Sequence, residues 1–395
     1  MKRILIICAS DPQTDPRPNR MIRWLKGQYA VTVLGQKRIE LDGVESIDVR
    51  SLAVHGHASR VVRNLLTAPV FILVHLHLGR LAWILWPNVL ALIDRFTNSS
   101  DLRNKLREKH FDLIISHDLV MLPLAFGVRG EQAKVMLDAR EFYPRQSEDR
   151  PLWRLFKQPM IDYLCAEYLR KCDNVITVSD GIAREYHRLY GVHPSVIMSL
   201  PDSHDLSPSR VRNDNIRIIH HGIANVSRQI EHLIEMMDYL DPRFSLDLML
   251  VPEKSWYWHK LTKMADTRKN VRFIPPVPMQ EVIRFTNRYD IGVILYEPTS
   301  FNLAYALPNK LFEFIQAKLA VAIGPSIEMK KIVEKYDCGV VSNDFEPRSM
   351  AQTLNGLTSQ RIAYYKEQSN KASKELSAHA NAERARIMVQ EMIGS

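Results

Sequence analysis

The chain has 395 residues, long for a single hydrophobic core, so two domains are the natural expectation. A composition of 46% apolar and 25% charged residues is that of an ordinary globular protein, and it argues against disordered, collagen-like and repeat classes. The four cysteines form no CxxC pair, which suggests neither a disulfide framework nor a zinc site and fits a reducing cytoplasm.

In chain order, "MKRILIICAS" reads as a first strand and not as a signal peptide. Its apolar run is too short, and the polar "DPQTDPRPNR" follows where a cleavage site should be. "PNRMIRWLKG" then reads as a helix and "AVTVLG" as a strand. The formal charge of +9 is unevenly placed: residues 60–110 hold eight Lys/Arg against three Asp/Glu. The same stretch holds the most apolar run, "LLTAPVFILVHLHLGRLAWILWPNVLALI", flanked and interrupted by Arg60, Arg63, Arg80 and Arg95. A transmembrane helix needs roughly 20 uninterrupted apolar residues, and His75, His77, Arg80 and Pro87 break this one. Two readings stay open for 60–96. It forms helical pieces lying among lipid headgroups, with arginines meeting anionic lipid, or buried helices covering a sheet. Nucleic acid is a weaker explanation, because the basic residues interleave with aliphatics and not with exposed aromatics.

"FDLIISH" and "AKVMLDA" read as strands. A long helical stretch, "PLWRLFKQPMIDYLCAEYLRKC", leads to the strand "NVITVS". Ile/Val/Leu-rich runs alternating with helices predict an α/β fold with a parallel sheet covered on both faces. The polar, proline-bearing "SLPDSHDLSPSRVRNDN" breaks the rhythm and reads as a linker. A second series follows: "IRIIHHG", "LDLMLVP", "VRFIPP", "IGVILY", "AVAIG" and "GVVSN", six strands joined by helical patterns. The expected division is a first domain over 1–200, a linker over 201–214, a second doubly wound domain over 215–375, and a closing helix over 376–395. Ligands of such sheets bind outside the carboxyl ends of the strands.

The loop after the first strand has no glycine, so a dinucleotide pyrophosphate has no close backbone approach there and hydride transfer is disfavoured. GxxxxGK[ST], HExxH and GxSxG are absent, and no Asp-x-Asp pair offers a metal site. The pairs His55/His57 and His75/His77 sit in unsuitable company for a metal. What remains is two loops of the second series. "HHGIANVSRQIEHL" places Gly222 after a strand and Arg228 at the start of a helix. "YEPTSFNLAYALPNKLFE" puts Ser300, Phe301, Asn302, Leu307, Asn309, Lys310 and Glu313 between a strand and a helix. Helix N-termini suit phosphates, Arg228 and Lys310 would add full charges, and Glu313 would suit ribose hydroxyls. The plainer reading makes Asn309 an ordinary N-cap.

These segments together resemble the GT-B-fold glycosyltransferases, in particular retaining glycosyltransferase family 4. The resemblance rests on the ordered set "DPRPNR", "SHDLVMLPLA", "LDAREFYPRQ", "NVITVSDGIAREY", "HHGIANVSRQ" and "YALPNKLFEFIQAKLAVAIGP". It implies two Rossmann-like doubly wound domains facing a central cleft, with a nucleotide-diphosphate sugar on the second, the acceptor on the first, and a final helix crossing back. By position, Arg228 looks like the residue that holds the donor diphosphate. Glu313 looks like the second glutamate of E-x7-E, and Lys310 and Asn309 fall around the phosphates and sugar. The resemblance implies no metal and no cofactor beyond the donor itself. Three residues depart from the pattern: Tyr305 replaces the first glutamate, Arg140 stands where relatives carry a histidine near the reacting sugar, and Lys318 stands where a glycine usually ends the helix.

On the acceptor side, Asp15, Arg17, His117 and Asp118 fall at strand ends. Asp118 is a base or hydroxyl ligand, or equally a cap for "LVMLPLAF". The expected function is transfer of a sugar, with retention, to a glycan or lipid-linked acceptor in surface polysaccharide synthesis. The expected place is the cytoplasm, peripheral on the inner face of the plasma membrane. A catalytically degenerate scaffold, motivated by Tyr305 and Arg140, and a nucleotide-sugar 2-epimerase are the alternatives.

Overall fold

A computed structural model describes residues 1–48 and 100–394. The apolar, basic segment 60–96, and with it both readings of that segment, lies outside the described residues. Among the described residues no helix is long and apolar enough to cross a membrane.

Among the described residues, thirteen strands form two wholly parallel sheets. In the first, β1 (Arg3–Ile7), β2 (Ala30–Gly35), β3 (Val44–Asp48), β4 (Leu113–Ser116), β5 (Lys134–Ala139), β6 (Asn174–Thr177) and β7 (Ser195–Val196) run in the order β3-β2-β1-β4-β5-β6-β7. In the second, β8 (Ile216–Ile223), β9 (Phe244–Val251), β10 (Val271–Phe273), β11 (Ile291–Ile294), β12 (Ala320–Ile323) and β13 (Gly339–Val341) run in the order β10-β9-β8-β11-β12-β13. Each order reverses beside the unit's own first strand, between β1 and β4 and between β8 and β11. Those reversals are where doubly wound sheets open a crevice at the carboxyl edge. The α/β architecture expected from the alternating runs is therefore present, twice.

The second sheet shows why its strands read as continuous apolar runs. Ile291 and Val293 of β11 with Ala320 and Ala322 of β12 pack into one buried cluster. Their neighbours Ile294, Val321 and Ile323 pack into another. Successive side chains of a strand point to opposite faces, so both faces are covered and neither tolerates polar residues. On the first sheet Ile4 to Ile7 are wholly buried in the same way.

Packing divides the chain into two compact units, Met1–Ile197 with Ala382–Ser395, and Met198–Asn381. Residues 201–214 carry no helix or strand, and they bond to the second unit: His204 N donates to Gln316 Oε1 at 3.3 Å and Ser209 Oγ to Asn287 O at 2.8 Å. The helix Ser359–Glu375 is held by a buried charge pair. Lys366 Nζ lies 3.6 Å from Asp290 Oδ1 and donates to Tyr289 O and to Ser209 Oγ, with both side chains essentially sealed from solvent.

Two local expectations are corrected. The single helical stretch over 151–172 is two helices, Pro151–Phe156 and Gln158–Tyr168, followed by a 3₁₀ turn. Pro159, with no N–H to give, takes a first-turn position of the second helix, where that donor has no partner to lose. Strands β3 and β7 lack apolar runs and went unpredicted. β3 is exposed or half-buried throughout, and β7 has two residues.

Candidate functional site

The second unit's switch point is built around one imidazole. The backbone ladder between β8 and β11 registers only Ile218 with Ile291 and Ile219 with Gly292. Beyond it, the buried His220 takes over: its Nδ1 lies 2.8 Å from Val293 O. A carbonyl only accepts, so Nδ1 carries the proton and Nε2 is a bare acceptor. That acceptor takes a hydrogen bond from Lys310 Nζ at 2.9 Å. The tautomer follows from the partners, and it requires an uncharged ring. Burial, then the lysine charge, hold His220 well below the ordinary histidine range.

Lys310 itself is pushed down to about 7, first by burial and then by Arg228, with Glu313 opposing. It sits in the first turn of the helix Asn309–Gln316. That helix corrects the capping expectation: Pro308, not Asn309, occupies the N-cap position, and it offers no capping side chain. Asn309 and Lys310 therefore carry first-turn N–H groups that no N-cap side chain satisfies, at the positive end of the helix dipole. Gly222, at φ 131°, lies beneath the lysine. A Cβ there would stand 3.4 Å from Lys310 Nζ, on a backbone that side chains rarely adopt.

Glu313, one turn along, lies 3.4 Å from His221 Nε2 through its Oε2. Burial and the nearby lysine bring His221 down to about 3, so the contact is between a carboxylate and a neutral ring. Arg228 lies in the 3₁₀ turn Val226–Arg228. The left-handed Gln229 (φ 45°) separates it from the helix Ile230–Met236, so Arg228 precedes that helix and does not lie in its first turn. Its guanidinium carbon is 4.9 Å from the ring centre of Tyr296, and its Nη1 is buried with no hydrogen-bond partner among the described residues. Gln229 Oε1 also accepts from Glu297 N, which ties this turn to the loop after β11.

That loop has its own internal structure. Ser300 caps the short helix Phe301–Ala304 by accepting from Leu303 N at 3.4 Å. Asn302 lies within that helix, and Leu307 packs against the buried cluster below. Tyr305 sets its ring 4.6 Å from that of Phe301. Capping thus accounts for Ser300 and packing for Leu307, whereas Arg228, Asn309, Lys310, Glu313 and Gly222 gather at the strand ends.

The first unit collects a different set at the carboxyl ends of β1, β4 and β5. Arg140 donates from Nη1 to Asp15 Oδ2 at 2.6 Å and from Nη2 to Asp118 Oδ1 at 3.0 Å. Ser10 Oγ also donates to Asp15 and Tyr143 OH to Asp118, at 2.7 and 3.3 Å. Asp118 makes no side-chain cap to the turn that follows it, which removes the capping reading. Asp15, by contrast, does cap the helix Pro16–Leu25. Beneath lies the fully buried Asp138, joined to Arg17 at 2.6 Å and to His117 Nδ1 at 2.9 Å. Burial alone would raise its carboxyl; Arg17 and His117 outweigh it and hold Asp138 well below the usual carboxylate range.

Sequence reasoning passed over His220, His221 and Tyr296. It also missed Glu141, whose carboxyl is pushed up to about 7 by burial and further by Asp118, against Arg140. The doubled histidine before Gly222 was the available signal for the first two. Among the described residues no group of three or more His, Cys, Asp or Glu is placed to hold a metal ion.

Residues 49–208 match the family model described as Glycosyltransferase Family 4. No curated protein matches the chain in sequence. Among solved structures, HepE from Anabaena in complex with UDP and glucose is similar over 99% of this chain and 100% of that one, at 13% identity and a TM-score of 0.66. WaaG, a glycosyltransferase involved in lipopolysaccharide biosynthesis, covers 99% and 100%, at 13% identity and a TM-score of 0.61. TarM is similar over 74% of this chain at 14% identity and a TM-score of 0.58; the chain spans 57% of TarM's length. The resemblance to the GT-B-fold glycosyltransferases therefore holds, and the fold of the chain is GT-B.

Proposed function

We propose that this GT-B-fold chain is a glycosyltransferase that moves a sugar, with retention, from a nucleoside-diphosphate sugar to a glycan or lipid-linked acceptor. The observation that carries the proposal is the convergence at one switch point. Lys310, Arg228 and an uncapped helix end lie together, and Glu313 lies beside the neutral His221. Two cations and free N–H groups suit a diphosphate, and a carboxylate one turn on suits the ribose diol. Charge developing on the leaving diphosphate would be neutralised by these groups without a metal, where one lost donor typically costs a few kcal/mol of transition-state stabilisation.

The first unit would take the acceptor at the Asp15–Arg140–Asp118 cluster. HepE's complex with UDP and glucose makes UDP the first nucleotide to test, and WaaG's place in lipopolysaccharide synthesis supports a surface-glycan acceptor. A peripheral position at the inner face of the plasma membrane, through 60–96, completes the reading. A second reading, a scaffold without turnover, draws on Arg140, which is engaged by two carboxylates where the family resemblance leads one to expect a histidine.

The test is a thermal-shift panel with UDP, GDP, ADP and their sugar conjugates, beside Glu313→Ala and Arg228→Ala. A ligand at 100 times its Kd adds about 2.7 kcal/mol of stability. One nucleotide that stabilises the wild type and neither variant supports the donor site. No response to any nucleotide overturns it in favour of the scaffold.

A further inference from the structure

Among the described residues, the lysine of the candidate donor site makes no ion pair with a carboxylate. Its hydrogen-bond partner is His220, a ring fixed as the Nδ1–H tautomer by Val293 O and buried against the sheet. We propose that His220 is a positioning residue: it aims the Lys310 ammonium at an incoming diphosphate through a neutral acceptor, so that the group holding the lysine cancels none of its charge before the anion arrives. The inference rests on the donor-site reading above.

A carboxylate in the same place would aim the lysine equally well, but it would leave almost no net charge for the phosphate. A neutral ring spares the charge and leaves the ammonium poorly compensated in the free protein. The groups facing it are His220 and His221 from β8, Arg228 from the turn after β8, and Glu313 from its own helix. The Glu313 charge and the His220 acceptor favour the charged form, but burial and Arg228 outweigh them, and Lys310 falls to about 7. A bound diphosphate supplies the missing negative charge, so binding above neutral pH takes up a proton onto Lys310. By linkage, affinity then falls as pH rises, by up to about tenfold per pH unit. Above pH 7.5 a terminal phosphate is already fully ionised, so the ligand's own titration does not produce this trend.

The experiment is calorimetric titration of the full chain with UDP at pH 7.5, 8.25 and 9.0, in two buffers of different ionisation enthalpy. The variants are His220→Leu, His220→Gln and Lys310→Arg. The wild type is expected to take up a proton and to lose about tenfold per pH unit. Lys310→Arg, whose guanidinium stays charged throughout, is expected to give a flat profile. His220→Leu is expected to bind about tenfold more weakly and to shift the pH midpoint downward. His220→Gln, which keeps an acceptor at the end of the side chain, is expected to restore most of both. If His220→Leu is folded and binds UDP with the wild-type profile, the ring is only filler and the proposal falls. It also falls if Lys310→Arg keeps the wild-type pH dependence, an arm that stands even where the leucine variant does not fold. A wild type that binds UDP with no proton uptake overturns this role alone. A wild type that binds no nucleotide overturns the donor site and this role together.

Discussion

Arg140 Nη2 lies 3.0 Å from Asp118 Oδ1, while its other terminal nitrogen holds Asp15, so a single guanidinium ties the end of β4 to the loop after β1. A histidine, the residue that the family resemblance leads one to expect here, is shorter and cannot span both carboxylates. Arg140→His is expected to cost about 1–3 kcal/mol in urea unfolding, because at least one largely buried carboxylate loses its guanidinium and is left to uncharged donors. On the proposed function, sugar transfer should fall at least tenfold, while UDP binding, which that proposal assigns to the second unit, stays within twofold by calorimetry. A variant that binds UDP tenfold more weakly would contradict this separation.

Acid should weaken the second unit before its carboxylates begin to titrate. His220 and His221 are buried as neutral rings, with His221 brought down to about 3. In the unfolded chain both would take up protons near pH 6.5. Below that pH the unfolded state binds protons that the folded state refuses, so stability is lost as pH falls from about 6.5 toward 3. Each histidine contributes up to about 1.4 kcal/mol per pH unit across that window. Denaturant midpoints measured at pH 7.5, 6.0 and 5.0 should decline steadily, and His221→Asn should decline less steeply than the wild type.

Gly292 in β11 is a packing glycine. A Cβ there would fall 2.3 Å from Cγ of Phe314, on the inner face of the helix that carries Lys310 and Glu313. Gly292→Ala must displace that ring, at a cost of about 1–3 kcal/mol for overpacking. The helix moves with its phenylalanine, so UDP affinity should drop as well, although residue 292 touches no ligand in the proposed site. Thermal unfolding and calorimetry on the one variant check both outcomes.

Lys366→Ala isolates the buried charge pair. The substitution leaves Asp290 buried with, among the described residues, only Arg217 for company. Breaking such a pair from one side typically costs about 3–5 kcal/mol. Urea unfolding should show the loss, and Lys366→Met, which fills the volume without the charge, should recover part of it.

The fold was legible because both sheets are covered on both faces, and that forces uninterrupted apolar runs such as "AVAIG" and "IGVILY". Lys318 was noted only through the family resemblance, as standing where a glycine usually ends the helix; it adopts the left-handed φ of 60°, with its Nζ bonded to Ser373 Oγ. The candidate site was legible in its charges and illegible in its partners. Arg228, Lys310 and Glu313 announce themselves beside helix starts. His220 pairs with a lysine 90 residues away, and Arg140 with an aspartate 125 residues away. No local periodicity encodes such pairings. The cap was misjudged because an Asn after a proline looks like a cap, whereas Pro308, already extended at ψ 144°, takes that position.

The helix Ala378–Ile393 starts among residues of the second unit and finishes in the first. Ala385 and Val389 are buried with Ile4, Ile6 and Val31, and Arg386 Nε donates to Trp24 O at 2.9 Å. During synthesis domains generally fold as units in the order they emerge. Here that order is inverted at the last step. The unit begun first waits, with part of its core open, until the second has been made, and residues 382–393 are the piece that closes it.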